Sequence, residues 1–303
     1  MKFIAALLAL ITSGTIMISK HPAEVKPGNS SPVMSFGIVT DVQYCNCDPE
    51  GTRYYRNSTG KLRAALKSMK DDKVSFVVDL GDLIDRDMDS YSPVIQIFDS
   101  SGLKVFHVPG NHDYNVSSSQ KKKIPVLGTD KKGYSSYLQD GFRFVFLNGN
   151  EISTYSSTDR KQLAAADTLL ARMKKAGDLN AEVYNGGAGK EQLKWMSDQL
   201  DASEKAGEKV FIFCHFPLWP ADSHNLLNYK EVLDIIGRHG NIIACFAGHN
   251  HSGSYGNLNM THYVTLRGMV ETENTNSYSV VEVYGNKIWI KGAGREKSQI
   301  LAY

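Results

Sequence analysis

The chain has 303 residues, of which 42% are hydrophobic, enough for one large α/β domain or two modest ones and too apolar for a disordered chain. Its 34 basic and 32 acidic residues leave a net charge of +2, which excludes the strongly basic footprint of a nucleic-acid binder.

Lys2 precedes an apolar run over residues 3–18, and Lys20 follows it. At ~1.5 Å per residue the run falls short of a ~30 Å bilayer core, so it reads as a secretory signal peptide, with an uncleaved anchor as the alternative. No cysteine follows it, which gives lipoprotein processing no support. Residues 20–32 are rich in Pro, Gly and Ser and read as a linker. The expected division is signal or anchor plus linker over 1–33 and one domain over 34–303. A secreted or periplasmic protein follows, or a membrane-anchored one if the signal stays. No other segment is apolar and long enough to span a membrane.

Residues 35–40 read as a short strand ending at Asp41, and 60–70 as a helix by the spacing of Leu62, Ala65, Leu66 and Met69. Residues 74–79 form an apolar, β-branched run suited to a strand buried on both faces. It breaks at Gly81, with Asp82 and Asp85 following. A helix is expected over 93–98 and a strand over 104–109. A hairpin over 134–138 and 142–147 turns at Asp140-Gly141. Helices are expected at 158–175, 189–206 and 229–238, and strands at 209–215, 241–247, 261–266, 277–284 and 287–291. Two sheets packed face to face with helices outside each accommodate this order.

Five of these strands end in metal-type ligands: Asp41 with Gln43; Asp82 with Asp85; Asn111, His112 and Asp113; His215; and His249 with His251. A parallel sheet brings such ends to one edge, where open α/β sheets place their ligands. Carboxylate, amide and imidazole donors suit Mn²⁺, Fe²⁺ or Zn²⁺ better than Ca²⁺. The reading centres on Asp82 as a carboxylate bridging two divalent metals.

Other signals carry less. Residues 186–190 end in Gly-Lys but lack the first glycine and the final Ser/Thr of a P-loop, and no helix pattern follows Gly292-x-Gly294. Cys214 and Cys245 sit in apolar strand patterns as small buried hydrophobes. Cys45 and Cys47 stand two apart in a loop and are expected to be free or paired with distant partners.

The set Asp41-x-Gln43, Gly81-Asp82-Leu83-Ile84-Asp85, Gly110-Asn111-His112-Asp113, His215 and Gly248-His249-Asn250-His251 resembles the five blocks of calcineurin-like metallophosphoesterases. The resemblance runs from about Phe36 to the end of the chain. It implies a four-layer α/β/β/α sandwich, two mixed β-sheets flanked by helices. It also implies Asp41, Gln43, Asp82 and His251 on one metal and Asp82, Asn111, His215 and His249 on the other. His112 would serve the leaving oxygen, with its ring fixed by Asp85 and Asp113. A hydroxide shared by the two metals would be the nucleophile.

Most members carry His where Gln43 stands. A neutral amide oxygen shifts the preference to Mn²⁺ or Mg²⁺, with Fe²⁺ or Zn²⁺ still possible. Gln43-Tyr44, the stretch from Gly51 to Ser58, Asn185-Gly186-Gly187 before Glu191-Gln192-Leu193-x-Trp195, Gly268-Met269-Val270-Glu271-Thr272 and Gly292-x-Gly294-Arg295 look like the manganese-dependent ADP-ribose/CDP-alcohol diphosphatases. The implied substrate is a small nucleotide-type molecule whose pyrophosphate joins a nucleoside to a ribose or an alcohol. Tyr44, Tyr54, Tyr55, Phe216 and Trp219 are candidates to stack a base, and Arg53 and Arg56 to meet a phosphate. A monomer is expected, with no nucleic-acid partner and no stable membrane contact unless the N-terminal segment is retained. The alternatives are a phosphomonoesterase or cyclic-nucleotide phosphodiesterase on the same site, or a secreted metal- or ligand-binding protein without turnover.

Overall fold

The computed structural model describes residues 31–124 and 132–303. The expected signal and most of the linker lie outside the described residues. The first sheet holds β1 (Met34–Val39), β2 (Val77–Asp79) and β3 (Val105–His107), all parallel. Its other half is antiparallel: β10 (Ser277–Val283), β11 (Lys287–Gly294) and β12 (Gln299–Ala302), in the spatial order β12-β11-β10-β1-β2-β3.

The second sheet holds β4 (Ser135–Gln139), β5 (Phe142–Phe146), β6 (Lys209–Phe213), β7 (Ile242–Ala247), β8 (Ser254–Leu258) and β9 (Thr261–Thr265). Its order is β4-β5-β6-β7-β9-β8, parallel in the middle and antiparallel at both edges.

Side chains alternate across each strand, and the alternation divides the core. Inward, Phe36, Phe76 and Phe106 of the first sheet face Phe144, Phe146, Phe211, Phe213 and Phe246 of the second. Phe36 is the hub: its ring lies 5.4–6.1 Å from those of Phe76, Phe144, Phe211, Phe213 and Phe246. Truncating such a fully buried ring to alanine costs about 3–5 kcal/mol.

Outward, Val39 and Val77 meet α1 (Ser58–Asp71) and α2 (Tyr91–Ser101) through Leu62, Leu66, Met69, Val94, Ile97 and Phe98. On the far side Val210 and Ile212 meet α4 (Lys190–Lys205) and α5 (Tyr229–Ile236) through Leu193, Met196, Leu200, Val232 and Ile236. A smaller cluster seats α3 (Arg160–Ala176), with Leu170 and Met173 against Ala181 and Leu227. The side chain of Asp159 caps this helix by accepting from the backbone N–H of Lys161 and Gln162.

The four-layer arrangement is therefore as expected, and three details differ. The run 74–79 is buried except at Ser75 and lies alongside β1, yet only its last three residues pair with strands on both sides. The edge strands β8 and β12 were not expected. Ser-Tyr-Gly-Asn-Leu has no apolar alternation, and Gln-Ile-Leu-Ala is too short to show one. Cys45 and Cys47 are joined to each other by a disulfide, neither free nor paired at a distance. Among the described residues no helix is long and apolar enough to cross a membrane.

Candidate metal centre

The loops after β1, β2, β3, β6 and β7 emerge at one edge, and they carry Asp41 and Gln43, Asp82 and Asp85, Asn111 and His112, His215, and His249 and His251. Four of these residues have left-handed backbones: Asp41, Gln43, Asp82 and His249, with φ of 50°, 42°, 57° and 65°. Each costs on the order of 1 kcal/mol for a non-glycine residue. Such strain persists where tight turns aim side chains into a site.

Two glycines permit the close approach. A Cβ on Gly110 would lie 2.1 Å from Asp82 Oδ1, and one on Gly248 would lie 2.0 Å from Thr40 Oγ1 and 2.7 Å from Asp41 Oδ2.

Asp82 is buried at the centre. Its Oδ1 accepts from the backbone N–H of His112 at 2.8 Å. Its Oδ2 accepts from Gln43 Nε2 at 3.1 Å and lies 3.4 Å from His215 Nε2. Burial alone would raise its pKa, but the imidazoles of His215 and His112 outweigh that and hold it well below the usual carboxylate range. One ligand atom from each of Asp82, His215 and His249 falls within 4.8 Å of the others.

His215 Nδ1 donates to the carbonyl of Leu80 at 2.7 Å, so Nε2, 3.2 Å from Asn111 Oδ1, is the nitrogen that offers a lone pair once the ring is neutral. His251 spans two carboxylates, with Nδ1 2.8 Å from Glu271 Oε1 and Nε2 3.1 Å from Asp41 Oδ1. Burial pulls both imidazoles down, but Asp82 beside His215 and Asp41 beside His251 bring each up to about 9. His249 goes the other way: burial and then the neighbouring His215 push it well below its ordinary value, so it stays neutral.

His112 Nδ1 lies 3.0 Å from the carbonyl oxygen of Asp85 and 3.3 Å from its Oδ1, while Asp85 Oδ2 accepts from Arg86 at 2.7 Å. Asp113 does not touch the His112 ring, contrary to expectation. Its carboxylate instead accepts from the backbone N–H groups of Asp82, Leu83 and Gly110 at 3.0, 2.9 and 2.8 Å, which locks the second loop onto the third. Beneath it His107 is wedged between Asp79, bonded to Nδ1, and Asp113 Oδ2, 3.6 Å from Nε2.

The residues present fit a cation. Gln43 is buried and its Oε1 has no hydrogen-bond partner among the described residues. A buried acceptor of that kind calls for an absent partner. It sits in a set of carboxylate, amide and imidazole donors suited to a divalent transition metal. Asp41, Gln43, Asp82 and His251 could hold one ion, and Asp82, Asn111, His215 and His249 a second.

The expected substrate contacts divide. Tyr44, Arg53 and Tyr54 are half-buried beside the site, and Arg53 lies 3.7 Å from Glu271. Phe216 is fully buried, edge-on to His249 at 4.7 Å, so it backs that ring and offers no face to a base. Tyr55 is core, packed with Cys45 and Val270. Trp219 packs against the helix-side core of the second sheet. Arg56 is occupied by Asp48 and Asn46 at 2.6 and 2.7 Å.

Sequence reasoning assigned no role to Glu271, Asn185 or Lys61. Asn185 Oδ1 lies 2.9 Å from His249 Nε2. The Lys61 ammonium, buried on α1, donates to the carbonyls of Met269, Glu271 and Thr272. Their only trace was the Asn185-Gly186-Gly187 and Gly268–Thr272 blocks, and Lys61 left none.

Two mixed sheets with this ligand set at one edge define a metal-dependent hydrolase of phosphate compounds. The chain belongs to the calcineurin-like phosphoesterase family, whose model matches residues 34–253. It is 30% identical to a Xenopus tropicalis protein named manganese-dependent ADP-ribose/CDP-alcohol diphosphatase, over 90% of this chain and 95% of that one. A Homo sapiens protein of the same name is 27% identical over 95% of this chain and 98% of its own. Among solved structures it is similar to a dimetal phosphatase from Danio rerio, with a TM-score of 0.82, 26% identity and coverage of 90% and 100%.

Proposed function

We propose that this chain hydrolyses the pyrophosphate of nucleoside-diphosphate-linked substrates, ADP-ribose and CDP-alcohols, with two divalent ions, preferably manganese. The observation that carries the reading is the meeting of Asp82, His215 and His249 within 4.8 Å, from three loops far apart in the sequence. The names of the relatives supply the substrate class.

When bound, the ions would offset charge on the phosphate oxygens and lower the pKa of an attacking water. The protein's own residues do the rest. Asp41, Gln43, Asp82 and His251 would hold one ion, and Asp82, Asn111, His215 and His249 the other. His112 would give a proton or hydrogen bond to the leaving phosphate oxygen, a reading supported by Asp85, which engages Nδ1 and leaves Nε2 for the substrate. Tyr44 and Tyr54 offer flat surfaces for a base, and Arg53 a guanidinium for the second phosphate. The apolar run 3–18 supports export from the cytosol, checked by finding the mature protein outside the cytosolic fraction.

The test is a panel of ADP-ribose, CDP-choline, a cyclic nucleotide and p-nitrophenyl phosphate with Mn²⁺, repeated with chelator. Cleavage of the first two, abolished by chelator, is expected. Preference for either of the last two would overturn the substrate assignment.

A further inference from the structure

We infer that Asn185 is a positioning residue that sets the tautomer of His249, so that this one imidazole is presented to its ion through Nδ1. The inference rests on the metal-centre reading for its consequence, but the hydrogen-bond pattern stands by itself.

Asn185 is fully buried. Both hydrogens of its amide nitrogen are used, on the carbonyls of Asn180 at 3.0 Å and Ser223 at 2.7 Å. That fixes which end of the amide faces His249: an oxygen, which can only accept. Oδ1 lies 2.9 Å from His249 Nε2, so Nε2 carries the proton. In a neutral imidazole the other nitrogen, Nδ1, is then the bare one, and only a bare nitrogen can ligate.

The amide is itself anchored. Asn180, also buried, donates to the carbonyl of Leu226 at 2.8 Å and reaches those of Asn225 and Leu227. Asn225 donates in turn to Pro217 and Pro220 at 3.1 and 3.2 Å. Three buried asparagines thus tie the segment between β6 and α5 to the loop before α4, and the last of them ends on His249. His215 and His251 are arranged the other way, with Nδ1 engaged by Leu80 and Glu271 and Nε2 turned to Asn111 and Asp41. A centre that mixes the two modes needs a dedicated acceptor for the odd ring. Asn185 is that acceptor, which gives the Asn185-Gly186-Gly187 block a physical purpose.

The test is two-bond ¹H–¹⁵N correlation of histidine rings in metal-free protein, with the His249 signals identified by their loss in His249→Gln. Wild type should show His249 protonated at Nε2 and bare at Nδ1. In Asn185→Leu the pattern should shift toward the other tautomer, and calorimetric Mn²⁺ affinity should fall ~10-fold to 100-fold. A wild-type ring protonated at Nδ1 overturns the inference without need of any variant. An unchanged ring pattern in a folded Asn185→Leu does the same. Absence of Mn²⁺ uptake by wild type would instead overturn the metal-centre reading, and the ring spectrum would still decide the role of Asn185.

Discussion

Glu271 Oε1 lies 2.8 Å from His251 Nδ1, on the far side of the ring from Asp41. The bond orients the ring and makes it a better donor, and the same hydrogen bond to His251 is the main reason the Glu271 carboxylate is held down to about 2. Glu271→Gln keeps the shape and removes the charge. Manganese affinity at the first ion should fall ~10-fold to 100-fold with little change in melting temperature. Calorimetric titration checks this, and unchanged affinity would remove Glu271 from the account.

Lys61 governs the same segment from behind. Its ammonium bonds the carbonyls of Met269, Glu271 and Thr272, with the last two at 3.1 and 2.9 Å. Lys61→Met strands three carbonyls, so the protein should lose about 1–3 kcal/mol in urea unfolding. Turnover should fall as well, because Glu271 loses its seat.

Protons compete with metal for this site. In the metal-free protein burial lowers the pKa values of His215 and His251, but their carboxylate neighbours win and raise both to about 9. Each ring must lose its proton to ligate, so metal binding releases protons. Apparent Mn²⁺ affinity should therefore rise with pH toward about 9 and flatten above it. Titrations in buffers of different ionisation enthalpy would detect the released protons. Affinity independent of pH below that value would contradict the assignment of these two ligands.

In the proposed mechanism His112 serves the leaving group and not the ions. His112→Ala should lower kcat ~10²-fold to 10⁴-fold on ADP-ribose. The loss should be much smaller on a p-nitrophenyl diester, whose leaving group needs no proton. Equal losses on both would argue that the ring acts elsewhere.

The layers, and the meeting of Asp82, His215 and His249 at one edge, were legible in the sequence because each depends on local pattern. A buried parallel strand is a short apolar run, and the residue that follows it lies at the sheet edge, so Asp41, Asp82, Asn111, His215 and His249 announce themselves. What supports them was not legible, because it is tertiary. Nothing near Glu271, Asn185 or Lys61 in the chain indicates that a folded loop will bring them to an imidazole or a run of carbonyls. Asp113 was misassigned for the same reason: its neighbour in sequence is His112, but its partners in space are the backbone N–H groups of Asp82, Leu83 and Gly110. Phe216 was offered as a stacking ring because it follows a ligand, whereas strand alternation puts it in the core behind that ligand.

The claim on which all of this rests is that one carboxylate, Asp82, joins two ions. Manganese stoichiometry of wild type and Asp82→Ala, measured alongside ADP-ribose turnover, tests it most directly. Wild type should bind two ions per chain, and the variant should retain at most one and lose ~10³-fold or more in turnover. A folded Asp82→Ala that keeps both ions and near-normal turnover would contradict it.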